Sequence, residues 1–352
     1  MYPSISHCYL IGILLIPICS QAATESVPLY REIKDWVIAC DNTRSCTAIS
    51  AAEQGQGSGS TLLIQRDAGG EGKLTVRLNS GLKQADGQLR KDGHALTSPL
   101  VRSLQRNQND DEELIFSARD SDAQKLLQEL RNASTLSLDA ENRQKISLRG
   151  LSAAMLLIDS VQGRVGTRTA LLRHGALPAS AVPPAPPTPT LRPFPAPPPL
   201  SLEERQRLVE ATMQRSRDSN ATEEQANPAE GEAYALNASE ALVLIRISCA
   251  AYNCEYAVFR TPRDNPSEAR PLDVEKLPLG HPIGFSGHVS FDQKTGVLNT
   301  YFKARGLADC GDSESWQFDG KHFQLQSYAY MGRCAGGRPD HWPIVWRSTE
   351  SE

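Results

Sequence analysis

Trp316-Gln317-Phe318-Asp319-Gly320-Lys321-His322-Phe323-Gln324-Leu325-Gln326 is the stretch that decides the fold class. Two short aromatic-rich segments, Trp316–Phe318 and His322–Gln326, flank Asp319-Gly320, a dipeptide that favours the type I′ hairpin turn. The same grammar repeats upstream. His288–Phe291 and Val297–Lys303 flank Asp292-Gln293-Lys294-Thr295-Gly296. Leu242–Ile247 and Tyr256–Arg260 flank Cys249-Ala250-Ala251-Tyr252-Asn253-Cys254. Trp342–Arg347 supplies a last strand. No long helical period interrupts these segments, so residues 233–352 are expected to form an antiparallel β-barrel or sandwich.

Upstream, residues 178–199 read PASAVPPAPPTPTLRPFPAPPP, and half of these 22 residues are proline. Proline fixes φ and removes a backbone donor, so the stretch can enter neither helix nor sheet interior. It is expected to be an extended polyproline II spacer reaching up to about 70 Å, though Phe194 among the prolines would also suit a recognition groove. Residues 201–217 follow as a polar helix, with Ser201 and Glu204 in capping-box positions. Its apolar face is thin, which predicts an extension of the linker or a weak docking. Linker and polar helix together span 178–232.

The N-terminal half, residues 23–177, mixes strands with two helices. Asp35–Cys40 and Cys46–Ile49 flank Asp41-Asn42-Thr43-Arg44-Ser45, which predicts a disulfide-clamped hairpin. Thr61–Gln65, Lys73–Leu78 and Leu114–Ser117 are further strands, and Leu136–Asp139 and Lys145–Leu148 a second hairpin. Leu126, Leu127 and Leu130 share one face of a helix capped near Ser121. Leu151–Gln162 carries a second apolar face and ends at Gly163. The fold class is thus mainly β: an α+β N-terminal domain and an all-β C-terminal domain, disulfide-stapled and joined by a Pro-rich linker.

The 352 residues carry a net charge of −4, too balanced for a general nucleic-acid binder. Charge divides at the linker: residues 24–177 hold 20 Lys and Arg against 19 Asp and Glu, residues 201–352 hold 16 against 22. Tyr9–Ile18 is an apolar run too short to span a bilayer, and Ser20-Gln21-Ala22 completes a secretory signal with cleavage after Ala22. A lipoprotein signal acylated at Cys19 is the rival reading. Export to the periplasm, with no transmembrane segment in the mature chain, is expected. Six cysteines then remain: Cys40, Cys46, Cys249, Cys254, Cys310 and Cys334. An even set in an exported chain reads as disulfides, and proximity favours Cys40–Cys46, Cys249–Cys254 and Cys310–Cys334. Zinc on the last four cysteines is disfavoured by an oxidising compartment and by the lack of a CxxC pair.

Four motifs in order, DWVIACDNTRSC, KISLRGLSAAMLLIDSVQGRVGTRTALLRHG, CAAYNCEYAVFRT and the ending KARGLADCGDSESWQFDGKHFQLQSYAYMGRCAGGRPDHWPIVWR, resemble an uncharacterised family of exported bacterial proteins with six cysteines, a domain of unknown function. The first motif is also similar to the invasion-associated locus B family, a likeness confined to the N-terminal half. These resemblances imply an envelope role and supply no catalytic residues.

No HExxH, P-loop or GxSxG occurs. Gly284-Phe285-Ser286-Gly287-His288 comes nearest the last and reads as a glycine-rich turn before a strand; Gly55–Gly59 reads as a flexible loop. The one constellation with acid/base potential is Asp309, Asp312 and His341, which closure of Cys310–Cys334 would draw together into an unfamiliar hydrolase site. Fifteen of the 21 aromatic residues lie beyond residue 230. Trp342, before a proline and near polar residues, is expected to be exposed; with Tyr252, Asn253 and His341 it forms the candidate binding set. The expected function is a non-enzymatic binding or envelope accessory protein, without metal or cofactor, whose partner is an envelope protein or glycan. An inhibitor of a wall-degrading enzyme is a further version of that reading.

Overall fold

The structure is a computed structural model that describes residues 25–51, 59–81, 88–99, 101, 104–108, 114–138, 145–219 and 230–350. The leader at 1–22 and most of the Gly55–Gly59 loop lie outside the described residues.

In the N-terminal half the strands are β1 Leu29–Ile33, β2 Trp36–Cys40, β3 Cys46–Ser50, β4 Thr61–Arg66, β5 Leu74–Asn79, β6 Arg90–Lys91, β7 His94–Ala95, β8 Gln105–Gln108, β9 Leu114–Arg119, β10 Thr135–Ser137 and β11 Lys145–Ser147. An antiparallel sheet runs β1-β2-β3-β4-β5-β9-β8, and a small one runs β11-β10-β6-β7. Helices α1 Asp120–Leu130 and α2 Leu151–Val161 join the large sheet in one core, through Leu126, Leu127, Leu130, Ala154, Met155 and Ile158. The uninterrupted apolar run of β2 has a structural reason. Trp36, Ile38 and Cys40 belong to the core shared with the helices, while Val37 and Ala39 belong to cores shared with the C-terminal half. A strand buried on both faces has no need to alternate.

After β12 Thr190–Leu191, the C-terminal strands are β13 Glu230–Ala235, β14 Glu240–Cys249, β15 Cys254–Pro262, β16 Arg270–Pro271, β17 Ser286–Asp292, β18 Val297–Lys303, β19 Gly311–Phe318, β20 Phe323–Met331, β21 Ile344–Arg347 and β22 Thr349–Glu350. Their antiparallel sheet runs β13-β14-β15-β17-β18-β19-β20-β21, with β16 beside β15. The hairpin at Asp319-Gly320 forms, but its turn is not type I′: only Gly320 of the pair has positive φ, the turn closes between Asp319 and His322, and the Asp319 carboxylate accepts the Lys321 and His322 N–H groups. On one face lies an aromatic core of Phe291, Trp316, Phe318, Phe323 and Tyr328. The third helix, α3 Leu202–Ser219, docks where Val243, Ile245 and Phe259 form a second cluster, burying Leu208 and Thr212. Its thin stripe is thus enough to seat it; Arg263 adds a two-pronged ion pair to Glu204 at its first turn.

The Pro-rich segment connects the halves without holding them apart. Instead of an extended spacer it is a strap on the C-terminal sheet: β12 pairs parallel with β22, and the Thr349 N–H donates to the Pro189 carbonyl at 2.9 Å. Phe194 lies edge-on to Phe291 and Phe318, with ring centroids 6.2 and 6.4 Å away. It sits so close to Gly296 that a β-carbon there would approach the ring to 2.3 Å.

The two halves share a core. Val37, Ile49, Ala51 and Leu63 pack with Cys310, Met331, Ala335 and Trp342. Polar ties surround that contact. Asn42 and Arg347 exchange two hydrogen bonds through the Arg347 backbone, at 3.0 and 2.9 Å, and the Arg347 side chain pairs with Asp41 at 2.5 Å. Arg333 reaches Glu32 at 2.6 Å and the Ala51 carbonyl at 3.3 Å. All three expected disulfides form: Cys40–Cys46, Cys249–Cys254 and Cys310–Cys334. Each lies within one half, so contact and charge, not sulfur, hold the halves together.

Candidate functional site

Strands β18, β19 and β20 lie side by side, and their register sets Thr300 opposite Glu314 and Glu314 opposite Tyr328; one step along, Phe302, Asp312 and Tyr330 form the next row. Side chains two apart share a face of a strand, so Asp312 and Glu314 point the same way as Trp316 and Phe318. An apolar sheet face therefore ends in two carboxyl groups. Glu314 is only 5% exposed. Its carboxyl accepts a hydrogen bond from the Thr300 hydroxyl and bonds the Asp312 carboxyl directly.

Burial, reinforced by the Asp312 charge, pushes the Glu314 carboxyl up to about 8. Burial also raises Asp312, and its bond to Glu314 draws it back down. Both carboxyl groups are thus raised, and the pair as a unit holds a proton more tightly than two separate carboxyls would. Around it stand three tyrosines and a histidine. Tyr328 is fully buried and bonds His281 Nδ1 through its hydroxyl. Tyr330 stacks on Tyr328 with centroids 6.2 Å apart, and His281 meets Tyr330 edge-on at 4.4 Å. Tyr30, from β1, meets Tyr330 at 4.8 Å and accepts the Gly332 N–H at 3.0 Å. Burial raises all three phenols and lowers His281, so phenols and imidazole stay neutral. The floor is buried, whereas Asp312, Tyr330, Tyr30 and His281 are half-buried and form the rim. Both halves of the chain build the site.

The residues expected from sequence fall elsewhere. Trp342 is buried, not exposed, at 6% exposure; it stacks on Tyr301 at 5.2 Å within the core shared by the halves. The polar neighbours that suggested exposure miss the apolar wall supplied by Val37, Ile49 and Leu63. His341 is also buried, at 3%, and faces Asn79 at 3.4 Å across the same junction. Tyr252 is exposed at 41%, and Asn253 beside it exchanges two hydrogen bonds with the Lys303 backbone, at 2.7 and 3.2 Å. The constellation of Asp309, Asp312 and His341 divides among separate partners. Asp309 is held by Arg305 at 2.7 Å and by the Gly336 N–H at 2.5 Å, Asp312 by Glu314, and His341 lies at the junction. Asp309 does lie against Cys310 and Cys334, but both sulfurs are spent in a disulfide and no thiolate is left for a metal. Ser286 starts strand β17 and forms no strand-to-helix elbow; Gly287 next to it is required because a β-carbon would meet the Tyr301 carbonyl at 2.2 Å.

Of the acid–tyrosine cluster, sequence reading singled out Asp312 alone. The signal for the rest was the alternation Asp312-x-Glu314-x-Trp316-x-Phe318, which sets both acids on the aromatic face.

The fold and the site together define a mainly β, disulfide-bonded protein with an acid pair buried near the junction of its halves. The chain belongs to the family described as "Protein of unknown function (DUF1176)", whose profile matches residues 30–349. It is 31% identical over 339 residues to "Uncharacterized protein YpfG" of Escherichia coli (strain K12), covering 91% of this chain and 93% of that protein. No solved structure matches the chain. Among the described residues no helix is long and apolar enough to cross a membrane.

Proposed function

We propose that the protein is exported, is cleaved after Ala22 and acts in the periplasm as a non-enzymatic binding or envelope accessory protein. Its ligand would be a cationic group seated on the Asp312–Glu314 pair between Tyr30, Tyr330 and His281. The observation that carries the reading is two adjoining carboxyl groups, one buried and one half-buried, set beneath aromatic faces. A protonated amine or guanidinium gains from such a carboxyl pair and from the ring quadrupoles together. Three disulfides support an oxidising compartment. The likeness of DWVIACDNTRSC to the invasion-associated locus B family also supports an envelope role.

Direct bonding between the two carboxyl groups favours binding over glycoside hydrolysis, which needs them about 5–9.5 Å apart around the scissile bond. Calorimetric titration of the purified protein with arginine amide, putrescine and calcium at pH 7 tests the site. Binding of an organic cation, weakened about tenfold by Asp312→Asn, is expected. Absence of binding by all three would refute the site. Fractionation that leaves the protein in the cytoplasm would refute export separately.

A further inference from the structure

Away from the acid–tyrosine cluster, two loops make an exposed tip. The first is Ala250–Asn253, closed by Cys249–Cys254, where Ser248 through Tyr252 are all exposed. The second is Ala304–Ala308 after β18, where Leu307 is 72% exposed. The loops touch: a β-carbon on Gly306 would lie 3.6 Å from the Tyr252 ring. They are also tied, since Asn253 gives its amide N–H to the Lys303 carbonyl and takes the Lys303 N–H. The far end of the second loop is anchored by Arg305 on Asp309 and by Cys310–Cys334. A tip of Ala250, Ala251, Tyr252, Gly306 and Leu307 is thus apolar, convex and held in one shape. Leucine in water on a constrained loop contributes nothing to the core, and pre-organisation is what an inserted recognition loop needs.

Charge narrows the partner. The Lys303 ammonium lies over the Tyr252 ring, 5.8 Å from its centre, and no carboxylate among the described residues pairs with it. That ring face is therefore covered and offers no platform for a sugar. A rigid apolar tip with one cation beside it complements a concave protein cleft that contains carboxylates. In the envelope, enzymes that cleave wall glycans commonly carry such clefts, because the usual glycosidase reaction uses two carboxyl groups.

We infer that the Tyr252–Leu307 tip inserts into the paired-carboxylate cleft of a glycan-cleaving enzyme, with Lys303 toward the carboxylates, and blocks it. This inference rests on the reading of the chain as an envelope binding protein, but it uses neither Asp312 nor Glu314.

The purified full chain is assayed against c-type and g-type lysozymes on peptidoglycan, together with Lys303→Glu, Leu307→Asp and Tyr252→Ala variants checked by circular dichroism. Inhibition of at least one lysozyme, weakened about tenfold or more by each variant, is expected. Calorimetric titration of the three tip variants with arginine amide should match the parent, which separates this surface from the cation site. Failure to inhibit either enzyme, or inhibition by Lys303→Glu and Leu307→Asp as strong as the parent's, would overturn the inference. So would pull-down on enzyme-free peptidoglycan that these variants abolish, since the tip would then be a glycan platform.

Discussion

Glu314 is where burial and charge meet most directly. Its carboxyl titrates ordinarily near 4.5 and is pushed up to about 8 by burial and by Asp312. A raised folded value means that the folded state holds this proton more tightly than the unfolded chain. The favourable contribution is complete below the ordinary value and is lost as pH rises through the folded one. Thermal stability should therefore fall between pH 5 and pH 8.5, by an amount on the order of a few kcal/mol. Glu314→Gln keeps the shape and removes the titration, so its melting temperature should change much less over that window. Equal pH slopes for parent and variant would contradict this account. At the junction, Trp342→Ala should cost about 3–5 kcal/mol, measured by urea denaturation. A cost below 1 kcal/mol would mean that the ring is solvated after all.

Among the elements, the hairpins were legible because their signals are local. Asp319-Gly320 needs only its own backbone to turn, and each cysteine pair is closed within one half. The strap was not legible. Polyproline II has no internal hydrogen bonds, so a proline run carries no sign of what it packs on. Here the information lies about a hundred residues or more downstream, in β22 and in the Phe291–Phe318 cleft that takes Phe194. Phe194→Ala should release the strap. About 2 kcal/mol of stability should be lost, less than for a wholly buried ring, and limited proteolysis should cut within 183–200 several-fold faster. An unchanged cleavage rate would show that β12 and the prolines hold the strap without the ring. The acid pair was half legible: period-2 spacing sets Asp312 and Glu314 beside Trp316, but charged residues in a strand ordinarily suggest an outward face. What keeps them inward is tertiary, the tyrosines of β20 beside them and the Thr300 hydroxyl of β18.

At the scale of the molecule, the composition break at the prolines suggested two units, while the structure packs the halves against each other. The double burial of β2 is the clearest sign: Trp36, Ile38 and Cys40 serve one core, Val37 and Ala39 the others. Residues 23–177 expressed alone would expose Val37, Ile49 and Leu63 and lose the partners of Asp41 and Glu32, and should aggregate. The whole chain should unfold in one calorimetric transition; two well-separated transitions would mean that the shared core contributes little. Because Tyr30 reaches Tyr330, opposite Asp312 in the sheet, from the N-terminal half, this junction also borders the proposed cation site.

That site is the central claim, and the titration of Glu314 tests it most directly. The side-chain carboxyl can be followed by carbon NMR in protein labelled at glutamate, with Glu314→Gln to assign the signal, in the free state and with arginine amide. The account predicts a midpoint of about 8 in the free protein that falls when the cation binds. A midpoint near the ordinary 4.5, unmoved by the cation, would contradict it.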